Sequence, residues 1–153
     1  MKWLKSAVVG AVGSLVMAAI MIPLIQSGIA PFNLPPSAAA LKALGIPAQP
    51  LGMVVHLGYG VFWSVVLVAL FREQTNLTKG LGLAGVLWLF MMLVHSPMIG
   101  WGVFGTADMP DQPEILQLGS TPKYIISTFL LHVIYGAIIG TLNPWWIDFE
   151  KKT

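Results

Sequence analysis

The sequence predicts an all-α protein, a transmembrane four-helix bundle built from two similar two-helix hairpins with both termini on the cytoplasmic side. Three observations predict it. First, 56% of the 153 residues are hydrophobic and only 9% are charged, against roughly 25% charged in a soluble domain. A chain so poor in polar groups cannot cover its own surface with them, and lipid is its natural solvent. Second, four apolar runs, at about 6–25, 51–71, 80–104 and 123–142, are each long enough to cross ~30 Å of hydrocarbon. Third, Lys2, Lys5, Arg72, Lys79, Lys151 and Lys152 fall on one side, and only Lys42 and Lys123 on the other. This bias puts the termini and the tight turn in the cytoplasm.

Each element has its own marks. A basic head, Met1 to Lys5, precedes the first span. That run is longer than a signal-peptide core, and Ser27-Gly-Ile-Ala-Pro31 is a poor cleavage site, so the segment is expected to be retained. Pro23 marks a kink or stop near its far end. The outer loop 28–50 is rich in proline and small residues. Within it Ser37–Gly45 reads as a short surface helix, with Ser37 as N-cap and Gly45 as stop. The second span closes at Arg72-Glu73, and Gln74–Lys79 is a tight polar turn. Asn76-Leu-Thr78 matches a glycosylation sequon, but a cytoplasmic turn is not glycosylated. The third span holds His95-Ser-Pro-Met98, where Pro97 should distort the helix. The second outer loop, 105–122, carries Asp108, Asp111 and Glu114, which read as a solvated loop in preference to a calcium site. After the fourth span, Pro144 should stop the helix, and Trp145 and Trp146 should anchor it in the headgroup layer.

The last span contains His132-Val-Ile-Tyr-Gly-Ala-Ile-Ile-Gly140, and the second echoes it with His56-Leu-Gly-Tyr-Gly-Val-Phe-Trp-Ser64. The alignment pairs His56 with His132, Tyr59 with Tyr135 and Gly60 with Gly136. The first and third spans align as well, pairing Met17 with Met91 and Pro23 with Pro97. A tandem duplication of a two-span hairpin follows, with its pseudo-two-fold axis along the membrane normal. Gly136 and Gly140 form a GxxxG motif, and Gly58 and Gly60 flank Tyr59. Small residues of this kind let helices approach closely where lipid removes the hydrophobic drive. Gly80–Gly85 and Gly100–Gly105 fit G-x-G-x-x-G, but neither follows a strand, so no dinucleotide site is implied.

Histidine inside a membrane span is costly and raises a question of function. Span direction sets its depth. His56 lies ~8 Å below Leu51, His132 ~13 Å below Lys123 and His95 ~14 Å before Phe104. All three fall near one level of the outer half. In one reading each imidazole is structural, bonded within the bundle to Tyr59, Tyr135, Ser96 or Thr128. In a second, His56 and His132, with His95, bind haem b or chlorophyll, and Lys42 and Lys123 meet the propionates. In a third, His56 and His95 with Met53 and Met98 bind copper through imidazole and thioether.

Other chemistry is excluded or disfavoured. The chain has no cysteine, which removes thiolate sites and disulfides. It has no basic stripe for nucleic acid. No Asp or Glu lies within a span, and no triad is recognisable, so side-chain catalysis is not expected. The glycine-spaced Gly10–Met21, Leu44-Gly-Ile-Pro47 leading to His56, Leu89–Gly105 and His132–Gly140 together resemble a family of small bacterial integral membrane proteins of unknown function. The resemblance implies the four-span fold and a bacterial inner membrane, and brings no activity. The expected role is non-enzymatic: an accessory subunit of a larger electron-transfer or photosynthetic membrane complex, in contact with lipid and with other subunits or copies of itself. A haem- or pigment-binding electron carrier is the alternative, and a small oligomeric transporter or channel a further one.

Overall fold

The computed structural model describes residues 1–108 and 111–147. Lys151 and Lys152, which contribute to the predicted orientation, lie outside the described residues. The fold is all-helical. In chain order come α1 (Lys2–Gln26), the short α2 (Pro36–Ala43), α3 (Leu51–Phe71) and α4 (Leu77–Phe90). A π-helical turn, Met91–His95, carries α4 into α5 (Ser96–Ile99), and α6 (Thr121–Trp146) closes the bundle. Four of these helical stretches are long and apolar enough to cross a membrane.

Where the element ends differ from expectation, the causes are local. Pro23 and Pro144 do not stop their helices, because each forfeits one hydrogen bond so near a helix end that little ladder remains to break. The third span ends at Ile99, five residues before the predicted Phe104. Gly100 takes φ +92°, its N–H bonds Pro97 O at 3.0 Å, and Trp101 N–H bonds Ser96 O at 2.9 Å. This pair of bonds is a Schellman cap, which a glycine at that position favours. Ser37 is not an N-cap. Pro35 holds that position without a side-chain bond, and the Ser37 hydroxyl is buried with no partner. Asn76, read only as part of a sequon, caps α4: its Oδ1 accepts the Lys79 N–H at 3.0 Å.

The loops that precede α3 and α6 close one end of the bundle. Trp101 is buried, donates its indole N–H to Leu116 O at 2.5 Å and packs edge-on to Tyr124 at 5.3 Å between ring centroids. Phe32 completes this aromatic group. Gly119 N–H to Pro31 O at 2.7 Å and Asn33 Nδ2 to Glu114 O at 2.9 Å tie the two loops together. At the other end, Lys5 Nζ donates to Trp146 O at 2.9 Å, so the start of α1 and the end of α6 meet.

Helix pairing is set by small residues. α1 packs along α3, α4 along α6, and α1 also against α6, whereas α3 and α4 scarcely touch. A Cβ placed on Gly10 would stand 2.7 Å from Ser64 Cβ, and one on Gly60 would collide with the Ser14 hydroxyl. A Cβ on Gly80 would stand 2.6 Å from Gly140 Cα, and one on Gly136 2.6 Å from Ala84 Cβ. These backbones are in contact, and only glycine allows it. Gly58 differs from expectation: it faces open space, with nothing within 4 Å. Two steps of 100° separate it from Gly60, which turns it away from the contact.

This contrast is testable. Gly80→Ala should destabilise the protein by ~1–3 kcal/mol, the usual cost of overpacking. Gly58→Ala should be neutral or stabilise by up to ~1 kcal/mol, the helix-propensity gain of alanine over glycine. Thermal unfolding in detergent followed by circular dichroism compares them, and equal losses would contradict the packing described.

A candidate site: the histidine-lined cavity

His56, His95 and His132, which sequence direction puts near one level, line a single cavity of about 350 Å³. It lies between α1, α3, α4 and α6, with α2 and Phe32 over it. Its walls are otherwise mostly apolar, and include Met17, Met21 and Met91. His56 reaches it from the second turn of α3, and His132 from the middle of α6.

The π-turn delivers His95. Pro97 has no N–H, and its ring would crowd the carbonyl four residues back in a regular helix. Widening the turn relieves this, and the Ser96 N–H reaches Met91 O, five residues back. The Ser96 hydroxyl donates to the same carbonyl at 2.9 Å and receives the hydroxyl of Tyr124. His95 therefore sits four residues from the end of its helix, shallower than the predicted ~14 Å, since the span stops at Ile99. Its Nδ1 is buried with no hydrogen-bond partner.

The other two histidines are held by backbone carbonyls. His56 Nε2 lies 3.0 Å from Ser14 O on α1. Gly60, one turn further along α3, brings α1 close enough for this bond. His132 Nδ1 lies 2.8 Å from Thr128 O, four residues back in its own helix. A carbonyl oxygen only accepts, so each of these nitrogens carries the N–H. In a neutral ring the other nitrogen then holds a lone pair, which is Nδ1 in His56 and Nε2 in His132. Neither has a partner among the described residues.

Several expected partners are elsewhere. The tyrosines do not bond the histidines: Tyr135 donates to Gly60 O at 2.5 Å, where the absent side chain leaves the carbonyl open. Met53 and Met98 do not line the cavity and are 37% and 63% exposed. Met53 precedes His56 by three residues, a rotation of about 60° off its face. Met98 follows the widened π-turn, which displaces it from the register of His95. Among the described residues no three of His, Asp and Glu group closely enough to hold a metal ion. Lys123 lines a separate apolar groove with Ile126 and Leu130, and Lys42 is exposed.

A second polar group was missed. Ser64 Oγ donates to Ser6 O at 2.8 Å, and Asn143 Nδ2 donates to Ser64 Oγ at 2.9 Å. These residues tie α1, α3 and α6 together toward the end where Lys5 meets Trp146. The sequence carried one signal for them: Ser64 closes the repeat unit that begins at His56.

The two carbonyl bonds make a direct prediction for nitrogen-15 spectra of histidine-labelled protein in bilayers. Of the three rings, His56 should appear as the Nε2–H tautomer and His132 as the Nδ1–H tautomer, each assigned by loss of its signal in the corresponding His→Phe variant. The same tautomer at both would contradict the geometry.

Neither a curated protein nor a solved structure matches the chain. A family model does, over residues 1–148, with the description "Family of unknown function (DUF6789)". By that match over nearly the whole length, and with four helices fit to cross a membrane, the chain belongs to the DUF6789 family of unknown function.

Proposed function

We propose that this is a non-enzymatic integral membrane protein that holds one lipid-soluble ligand in the histidine-lined cavity. The observation that carries the reading is the convergence of His56, His95 and His132, from three separate helical stretches, on one apolar cavity. Three costly intramembrane histidines facing one space are the pattern of a site. Its volume, about 350 Å³, is at the small end of ligand pockets. The protein sits in the bacterial inner membrane with both termini in the cytoplasm. The bias of Lys2, Lys5, Arg72 and Lys79 supports this orientation, and the contact between Lys5 and Trp146 supports a common side for the termini. Service as a subunit of a larger complex is compatible with this role and rests on the small mass outside the bilayer.

A tetrapyrrole fits these residues less well. His132 has the arrangement of an axial ligand, with Nδ1–H on a carbonyl and Nε2 open. His56 offers the opposite nitrogen, so a symmetric pair is not formed. Lys123, one of the two cations meant for propionates, lines a different groove. The copper set is likewise not assembled, because Met53 and Met98 do not line the cavity.

Extraction of protein purified in native lipid tests the proposal. Wild type should release one compound in near-equal amount to protein, and Ala40→Trp, which fills the cavity from α2, should lose it. An extract identical to bulk lipid in both would overturn the reading. A Soret band lost in His132→Ala would replace it with the tetrapyrrole.

A further inference from the structure

The two anchored histidines fix the polarity of the cavity. Each gives its N–H to a backbone carbonyl, His56 to Ser14 O and His132 to Thr128 O. Each therefore turns a lone pair, and not a donor, to whatever the cavity holds. Lone pairs in an apolar space call for donors from the ligand, since an unmatched buried polar group is costly. A metal ion also seeks lone pairs, but among the described residues no His, Asp and Glu cluster completes a ligand set. A ligand with only carbonyl or ether oxygens would leave these two lone pairs unmatched, whereas a hydroxyl both donates to them and accepts from a donor such as the Ser37 hydroxyl, which lines the cavity and has no partner among the described residues.

The route into the cavity is visible in the helix pairing. α3 and α4 both wall the cavity yet scarcely touch one another. Val55 and Tyr59 on α3 and Phe90 on α4 line it and are also exposed. Exposed side chains of both helices thus border the cavity on the side between α3 and α4, while α2 and Phe32 line it elsewhere.

Building on the ligand-binding reading above, we infer that the ligand is a lipid-soluble alcohol or phenol. Its apolar body enters from the bilayer between α3 and α4, and a hydroxyl donates to His132 Nε2, a second hydroxyl, where the ligand carries one, donating to His56 Nδ1. The hydroxyl donor is the shared chemistry, and a hydroquinone ring or a lipid alcohol such as a diacylglycerol can supply it.

The test uses the full chain in lipid nanodiscs, with tryptophan fluorescence as the binding readout. The probes are a decyl-substituted hydroquinone, its dimethyl ether, which keeps the ring and loses both donors, and dioctanoylglycerol. The better of the two hydroxyl probes should bind at least about tenfold tighter than the ether, about tenfold being the loss expected for each buried hydrogen bond. The preference should fall by about tenfold in His132→Phe, which removes one acceptor. That histidine bonds within its own helix, so the variant should keep its fold, which circular dichroism checks. The unprotonated nitrogen-15 resonances of His56 and His132 should move with a hydroxyl probe and not with the ether. Tighter binding of the hydroquinone assigns the phenol source, and tighter binding of dioctanoylglycerol the aliphatic one. Equal binding of hydroxyl probe and ether would overturn the inference, and if Ala40→Trp abolished both, the cavity would still be a binding site. Failure of every probe to bind would overturn the inference, while the extraction experiment would separately decide the ligand-binding reading.

Discussion

Backbone-to-backbone contact at glycine is the constraint on which this bundle depends. In lipid, helices gain little by hiding apolar side chains from one another, and dispersion and hydrogen bonds must hold them. Gly10 and Gly60 bring α1 onto α3, and Gly80, Gly136 and Gly140 bring α4 onto α6. The α1–α6 contact joins the two pairs. No comparable contact joins α3 to α4, and the bundle is open there. The cavity is thus a consequence of where the glycines are, together with the π-turn that swings His95 toward it.

Two polar groups use the same scaffold differently. Toward the end where the termini meet, Ser6, Ser64 and Asn143 are donors and acceptors to one another and lock three helices, with Asn143 Oδ1 the one atom of the group left buried without a partner among the described residues. Further along the bundle, His56 and His132 spend one nitrogen on backbone carbonyls and leave the other unmatched by protein. The first group has the character of a structural joint. The second has that of a surface prepared for something else, since anchoring one nitrogen orients the ring and leaves the lone pair available.

Most of the helical architecture was legible in the sequence because apolar run length is read directly against bilayer physics. Span direction alone put the histidines near one another, and the cavity brings the three together, although the Gly100 cap leaves His95 shallower than the sequence implies. What was not legible depended on rotation and on long-range partners. Gly58 and Gly60 look alike in sequence, and only the helix register separates a lipid-facing glycine from a contact glycine. Met53 and Met98 shared a depth with the histidines but not a face. Pro97 announced a distortion, though not that it would become a π-turn. Trp101 read as part of a span, whereas the Gly100 cap turns it into the outer aromatic cluster. The proposed duplication also meets an asymmetry, since a two-fold axis relating the hairpins would match the α1–α6 contact with an equal one between α3 and α4.

The measurement that tests this account most directly is dipolar recoupling between carbonyl-13C serine and imidazole-15N histidine in lipid bilayers. The account predicts a strong contact from the Ser14 carbonyl to His56 Nε2, which lies 3.0 Å from its oxygen, and its loss on Gly60→Leu, which forces α1 from α3. Absence of that contact in the wild-type protein would contradict both the close helix approach and the anchored histidine on which the cavity rests.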